Sequence, residues 1–193
     1  EAENLDIDIE RKRSFSGYVF LLMTAIGVAM SLFHLYTAGF GSLAAAFQRG
    51  IHLVFLLILA FLIYPARKNS PKLRPSVIDV FLIMLTLLVY GYLLVFQEQI
   101  TRLAFLPMTT MQYVFGWIAI LIVLEATRRT VGKELAILAV VFLLYAKFGE
   151  ILPGIFGHTG FSWNRIVNHM YLSQEGIMGV ALGVSATFIF LFV

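Results

Sequence analysis

Residues 77–96 read VIDVFLIMLTLLVYGYLLVF, a run in which Asp79 is the single charged side chain. A bilayer core about 30 Å thick is crossed by roughly 20 consecutive apolar residues in helical form. The run meets that length. Immediately upstream, residues 66–76 carry Arg67, Lys68, Lys72 and Arg74 together with Pro71 and Pro75. Proline has no amide hydrogen to donate and restricts the residue before it, so this stretch predicts a loop. Asp79 falls in the first turn of the expected helix, where the helix dipole favours a carboxylate. Loop, cations and apolar run together predict an all-α, polytopic transmembrane protein.

Working outward toward the N-terminus, residues 43–64 predict a second span, entered by Gln48, Arg49 and His52 and ending near Tyr64 and Pro65. Its uninterrupted apolar part, residues 51–64, is short. It reaches spanning length only by recruiting residues 43–47, with Arg49 snorkelling toward an interface. Residues 37–47 are a Gly/Ala-rich connection, and residues 16–36 predict the first span. Gly17, Gly27 and Ala29 are its small positions, where another helix could approach closely.

Toward the C-terminus, residues 97–110 are a polar connection containing Pro107. A fourth span follows over residues 111–126, opened by Tyr113, Phe115 and Trp117. A fifth apolar block, residues 135–148, is closed by Pro153 and Gly154, a strong stop and turn signal. Residues 162–171 differ from all of these. Trp163, Ile166, Val167, Met170 and Tyr171 recur at helical spacing on one face, while Asn164, Arg165, Asn168 and His169 take the other. This pattern predicts a helix lying in the interface plane, or lining a protein boundary there. Residues 176–193 form a sixth block, with Gly176, Gly179 and Gly183 on one flank for close approach. It ends without a polar flank, and a helix terminus in lipid leaves carbonyls unpaired. The sequence therefore reads as the N-terminal portion of a longer chain, with about six spans and one interfacial amphipathic helix.

Composition agrees with a membrane setting. Of 193 residues, 60% are hydrophobic and 13% charged, against about 25% charged in soluble chains. The absence of cysteine excludes disulfides and thiolate metal sites, and the 4 histidines are too scattered for a zinc cluster. Residues 1–10 are acidic and are followed by Arg11, Lys12 and Arg13. A secretory signal would open basic and carry a shorter apolar core, so the first span is expected to be retained. The net charge of +3 arises from short cationic runs between apolar blocks, which reads as topology and not as a nucleic-acid surface.

Lysine and arginine collect on cytoplasmic loops. Threading six spans puts ten of the 14 cations on one side: Arg11, Lys12, Arg13, Arg67, Lys68, Lys72, Arg74, Arg128, Arg129 and Lys133. Arg49, Arg102, Lys147 and Arg165 fall on the other. The partition predicts an inner-membrane protein with a cytoplasmic N-terminus.

Residues 124–132, LEATRRTVG, and 140–149, VVFLLYAKFG, carry a more specific likeness, which continues through Leu152-Pro153-Gly154, residues 158–171, Glu175-Gly176-Ile177 and residues 183–188, GVSATF. In these words the chain resembles the fused permeases of tripartite ATP-independent periplasmic (TRAP) transporters, most nearly the branch served by TAXI-type binding proteins. The likeness extends over essentially the whole spanning region. It implies a cytoplasmic N-terminal segment at 1–15 and a four-helix domain like the family's small subunit at 16–130. Residues 131–193 would hold a linker helix and the start of the large transport subunit, or that subunit's beginning outright. The resemblance also implies sodium-coupled import of organic acids, a small carboxylate solute delivered by a periplasmic TAXI-type substrate-binding protein, and an elevator mechanism braced by the small subunit. The family's sodium and substrate positions lie in re-entrant hairpins beyond residue 193, so no site residue is carried over.

Among individual residues, His34 and His52 lie within or beside spans. Ionisable groups there invite a functional reading, but a neutral histidine near a helix end can equally meet water or a carbonyl. Glu125 stands three residues before Arg128 and four before Arg129, the spacing of an intrahelical ion pair. Lys147 and Glu150 are expected to pair beside the turn at Pro153. The loops at 97–108 and 150–175 are candidates for binding-protein docking. No paired carboxylates, nucleophile with a base, HExxH or GxxxxGK occurs, so no catalytic, cofactor-binding or metal-ligating residue is assigned and the chain is not read as an enzyme. The expected function is the membrane part of a secondary-active permease. The alternative is a non-transporting integral-membrane scaffold or assembly subunit, and a third reading, a membrane enzyme, would need a buried polar pocket and a cofactor.

Overall fold

A computed structural model describes residues 13, 17–67, 70–71, 73–104 and 106–189. The acidic head, Arg11, Lys12, Lys68, Lys72 and the end of the sixth apolar block lie outside the described residues. Every regular element among those described is helical: α1 (Tyr18–Phe40), α2 (Ala45–Ile63), α3 (Val77–Val95), α4 (Gln97–Arg102), α5 (Thr110–Thr130), α6 (Lys133–Phe148), α7 (Trp163–Tyr171) and α8 (Val180–Val184). Two short 3-10 turns follow α6, and a π-helical turn, Ser185–Ile189, extends α8.

Four helices, α1, α2, α3 and α5, are long and apolar enough to cross a membrane, which makes this a membrane-embedded protein. Their starts follow local chemistry. Ser76 and Asp79 form a reciprocal capping box at α3, and Thr109 with Gln112 forms another at α5, satisfying backbone donors that have no partner in the first turn. α1 runs four residues beyond the expected end at Tyr36, so the connection to α2 shrinks to residues 41–44. It stops where Gly41 takes φ 109°, a region that L side chains resist. α2 does begin within the recruited stretch, at Ala45, and reaches 19 residues.

The fifth and sixth apolar blocks are helical but short. α6 has 16 residues, roughly 24 Å at 1.5 Å per residue. The sixth block does not start as a helix at Gly176: residues 172–179 turn, and α8 begins at Val180. A Cβ at Gly176 would run into the backbone of His169 and Met170, and one at Gly179 would meet the Glu175 and Gly176 carbonyls at 2.8 Å. These two glycines therefore close a tight turn instead of admitting a neighbouring helix. Gly183 does admit a neighbour, since its Cβ would meet Arg49 Nε at 2.7 Å. Gly27 faces open space, so no helix of the described residues approaches α1 there.

The core sits among α2, α3 and α5, where Leu57, Phe61, Leu93, Ala119 and Ile122 pack with Tyr171 and Met178 inserted from the C-terminal segment. α7 docks on α5 by the face the sequence pattern singled out, burying Ile166, Val167 and Tyr171. Gly116 permits this, because a Cβ there would collide with Val167 Cγ1. Large apolar side chains such as Phe20, Leu32, Phe81 and Met84 point outward from α1 and α3. In water so much exposed apolar surface would drive association; in lipid it costs nothing.

Candidate functional site

Two buried polar clusters mark opposite ends of the bundle. The first lies where α2 ends and α3 begins. The Asp79 carboxylate accepts from Arg13 Nη2 at 2.5 Å, Arg129 Nη1 at 2.5 Å, and the Ser76 backbone N–H and hydroxyl, each at 2.7 Å. The side chains of Asp79, Arg13 and Arg129 have no solvent exposure. Both arginines also reach the last carbonyls of α2: Arg13 Nη1 donates to Leu62 O at 2.9 Å and Phe61 O at 3.3 Å, and Arg129 Nη1 donates to Tyr64 O at 3.2 Å. Helix C-termini leave carbonyls without intrahelical donors and carry partial negative charge. The two guanidiniums supply both donors and countercharge.

Glu125 completes the cluster, accepting from Arg129 Nε at 2.7 Å and from Arg128 Nε and Nη2 at 2.7 and 2.8 Å. The intrahelical pairing expected from spacing is therefore formed, and Arg128 Nη2 continues to Ala66 O at 3.0 Å. Arg129 also lies 5.0 Å from the Phe61 ring centroid. With two guanidiniums on each carboxylate, a cation would have to displace an arginine to bind. The arrangement ties the N-terminal segment, α2, α3 and α5 together. Asp79 does occupy the first turn, as expected, and its partners Arg13 and Arg129 come from other elements, 66 and 50 positions away.

The second cluster lies near the opposite end. His34 Nε2 and His52 Nδ1 are 2.9 Å apart with rings edge to face, and His52 Nε2 is 3.0 Å from Ser185 Oγ. One ring nitrogen of the pair donates and the other accepts, the tautomers being set by the partners. From their distances to the helix ends, both imidazoles sit roughly 10 Å inside the bundle. Beside them Gln48 Nε2 donates to Thr37 Oγ1 at 3.1 Å and Ala186 O at 3.3 Å, while the buried Gln48 Oε1 has no hydrogen-bond partner among the described residues. Arg49 donates to the carbonyls of Gln174 at 3.2 Å and Met178 at 2.9 Å. The turn at 172–179 brings these two carbonyls to α2, where the guanidinium meets them.

Spacing placed neither histidine beside the other, and nothing in the sequence joined Ser185 to either, since these contacts span 18 and 133 positions. Lys147 and Glu150, both described, form no ion pair. Tyr171 Oη donates to Val89 O at 2.7 Å, and burial, with Tyr92 nearby, pushes its phenol pKa well up. No group of three or more metal-ligating side chains converges among the described residues. No family model matches the chain, and neither a curated protein nor a solved structure is significantly similar to it.

Proposed function

We propose that this chain is the membrane-embedded scaffold portion of a secondary-active, sodium-coupled permease of the TRAP type. It would import organic acids handed over by a periplasmic TAXI-type binding protein. The N-terminus would be cytoplasmic, and α6 together with the segment from Gly176 onward would bring the crossings to about six. The reading rests on the sequence words at 124–132, 140–149 and 183–188, with one observation beside them. The segment those words assign to the start of the transport subunit is hydrogen-bonded to α2 through Ser185 and Arg49. A fixed brace must grip the part it supports, and buried hydrogen bonds between the two are a means of doing so.

A second reading is favoured by a different feature. The carboxylates Asp79 and Glu125 are committed to arginines, which suits a non-transporting scaffold or assembly subunit. Uptake of radiolabelled dicarboxylates into proteoliposomes, by the full-length permease with and without its binding protein, separates the two. Uptake that requires both sodium and the binding protein is the expected result. Its absence under every condition selects the scaffold. Replacing the loops at 97–108 and 150–175 with unrelated polar sequence should abolish delivery and leave insertion intact.

A further inference from the structure

Between α5, α6 and α7 runs a cleft of about 780 Å³, inside the range of about 300–1,000 Å³ typical of ligand sites. Its α5 wall extends from Ile120 to Thr127 and its α6 wall from Ala139 to Ala146, roughly 10 Å along each helix axis. Those walls are hydrocarbon except for Thr127, whose hydroxyl is committed to Val123 O at 2.8 Å. No residue of α6 is buried, so this helix stands against α5 without closing over the gap.

Polarity is confined to the α7 side. Arg165 and His169, one turn apart, face the cleft, and Glu175 lines it past the opposite end of α7. The Arg165 guanidinium lies 4.8 Å from the Phe161 ring centroid and has no carboxylate within ion-pair distance among the described residues. A hydrocarbon trough with an uncompensated cation at one rim is complementary to an anionic amphiphile, and a guanidinium presents forked donors to phosphate.

We propose that the cleft is a lipid site that seats an acyl chain of an anionic phospholipid, with its phosphate on Arg165 and His169. The lipid would fill the space left between α5, α6 and α7, so that α6 is held to the bundle partly through bound lipid. The proposal is independent of the transport reading.

The chain's two tryptophans give a direct probe. Trp117 and Trp163 lie 5.1 Å apart between ring centroids, and Trp163 is two positions from Arg165. The full chain is placed in nanodiscs containing a fixed fraction of lipid with brominated acyl chains, carried on phosphatidylglycerol in one series and on phosphatidylcholine in the other. Brominated phosphatidylglycerol is expected to quench with about fivefold higher apparent affinity, the preference one basic residue supplies near a membrane surface. Arg165→Gln should bring the two lipids to parity. Ala139→Phe, which fills the trough without altering charge, should remove the preference and lower quenching by both lipids. Circular dichroism verifies that each variant keeps its helix content. Equal quenching by the two lipids in the unsubstituted chain overturns the proposal, as does a preference that survives both substitutions. Quenching no greater in the unsubstituted chain than in Ala139→Phe also overturns it, because the cleft is then filled by protein or empty.

Discussion

Asp79 and Arg129 lie 50 positions apart in sequence, yet their side chains meet at 2.5 Å with no solvent exposure on either. Arg13 approaches the same carboxylate from the N-terminal segment. One anion thus holds two cations, and each cation caps the end of α2. A buried pair of this kind contributes little relative to well-packed apolar residues, but removing one partner leaves an uncompensated charge.

Asp79→Asn should therefore destabilise the bundle by about 3–5 kcal/mol, seen as a lowered midpoint in thermal unfolding of the detergent-solubilised chain. Glu98→Ala, which breaks the exposed Glu98–Arg102 pair, should change stability by less than about 1 kcal/mol. Equal effects from the two substitutions would show that the Asp79 cluster is solvated.

Gly116→Val should undock α7 from α5, since even a Cβ at this position collides with Val167. Overpacking of this kind costs about 1–3 kcal/mol. The measurable consequence is separation of Trp117 from Trp163, read as a shift of tryptophan emission. Gly27→Val, at a position facing open space, should leave emission unchanged.

Tyr171→Phe deletes the hydrogen bond to the Val89 carbonyl while leaving the ring in place. The carbonyl belongs to the interior of α3 and keeps its place in the helix ladder, so the loss should be about 1 kcal/mol. Chemical denaturation comparing the two chains checks this. A loss several times larger would mean that the hydroxyl, and not the ring, anchors α7.

His52→Phe should loosen the C-terminal segment and spare the core. The substitution removes the contacts to His34 and Ser185 but retains an aromatic ring against α1. Amide hydrogen exchange should accelerate over residues 180–189 while residues 77–95 keep their protection. Unchanged exchange at 180–189 would show that Arg49 and Gln48 suffice to hold the segment.

Much of the bundle was legible from residue order. The proline-containing loop and Asp79 marked the start of α3, the apolar period marked the buried face of α7, and the spacing of Glu125, Arg128 and Arg129 marked their ion pair. Each of these is a local relationship, decided within a few turns of one helix. The turn at 172–179 was not legible, because glycines at helical spacing serve equally for close helix approach and for a tight reversal.

The sequence by itself determined that long apolar blocks exclude water and must close their hydrogen bonds within helices, and it determined roughly where four of those helices begin and end. Only the tertiary structure decided that Arg13 and Arg129 share Asp79, that His34, His52 and Ser185 form one row, and that Arg49 holds the turn at 172–179. The reason is physical. A backbone excluded from water satisfies itself along its own chain, whereas an ionisable or polar side chain buried in the same medium must find its partner on another element, at a sequence separation that no local pattern encodes.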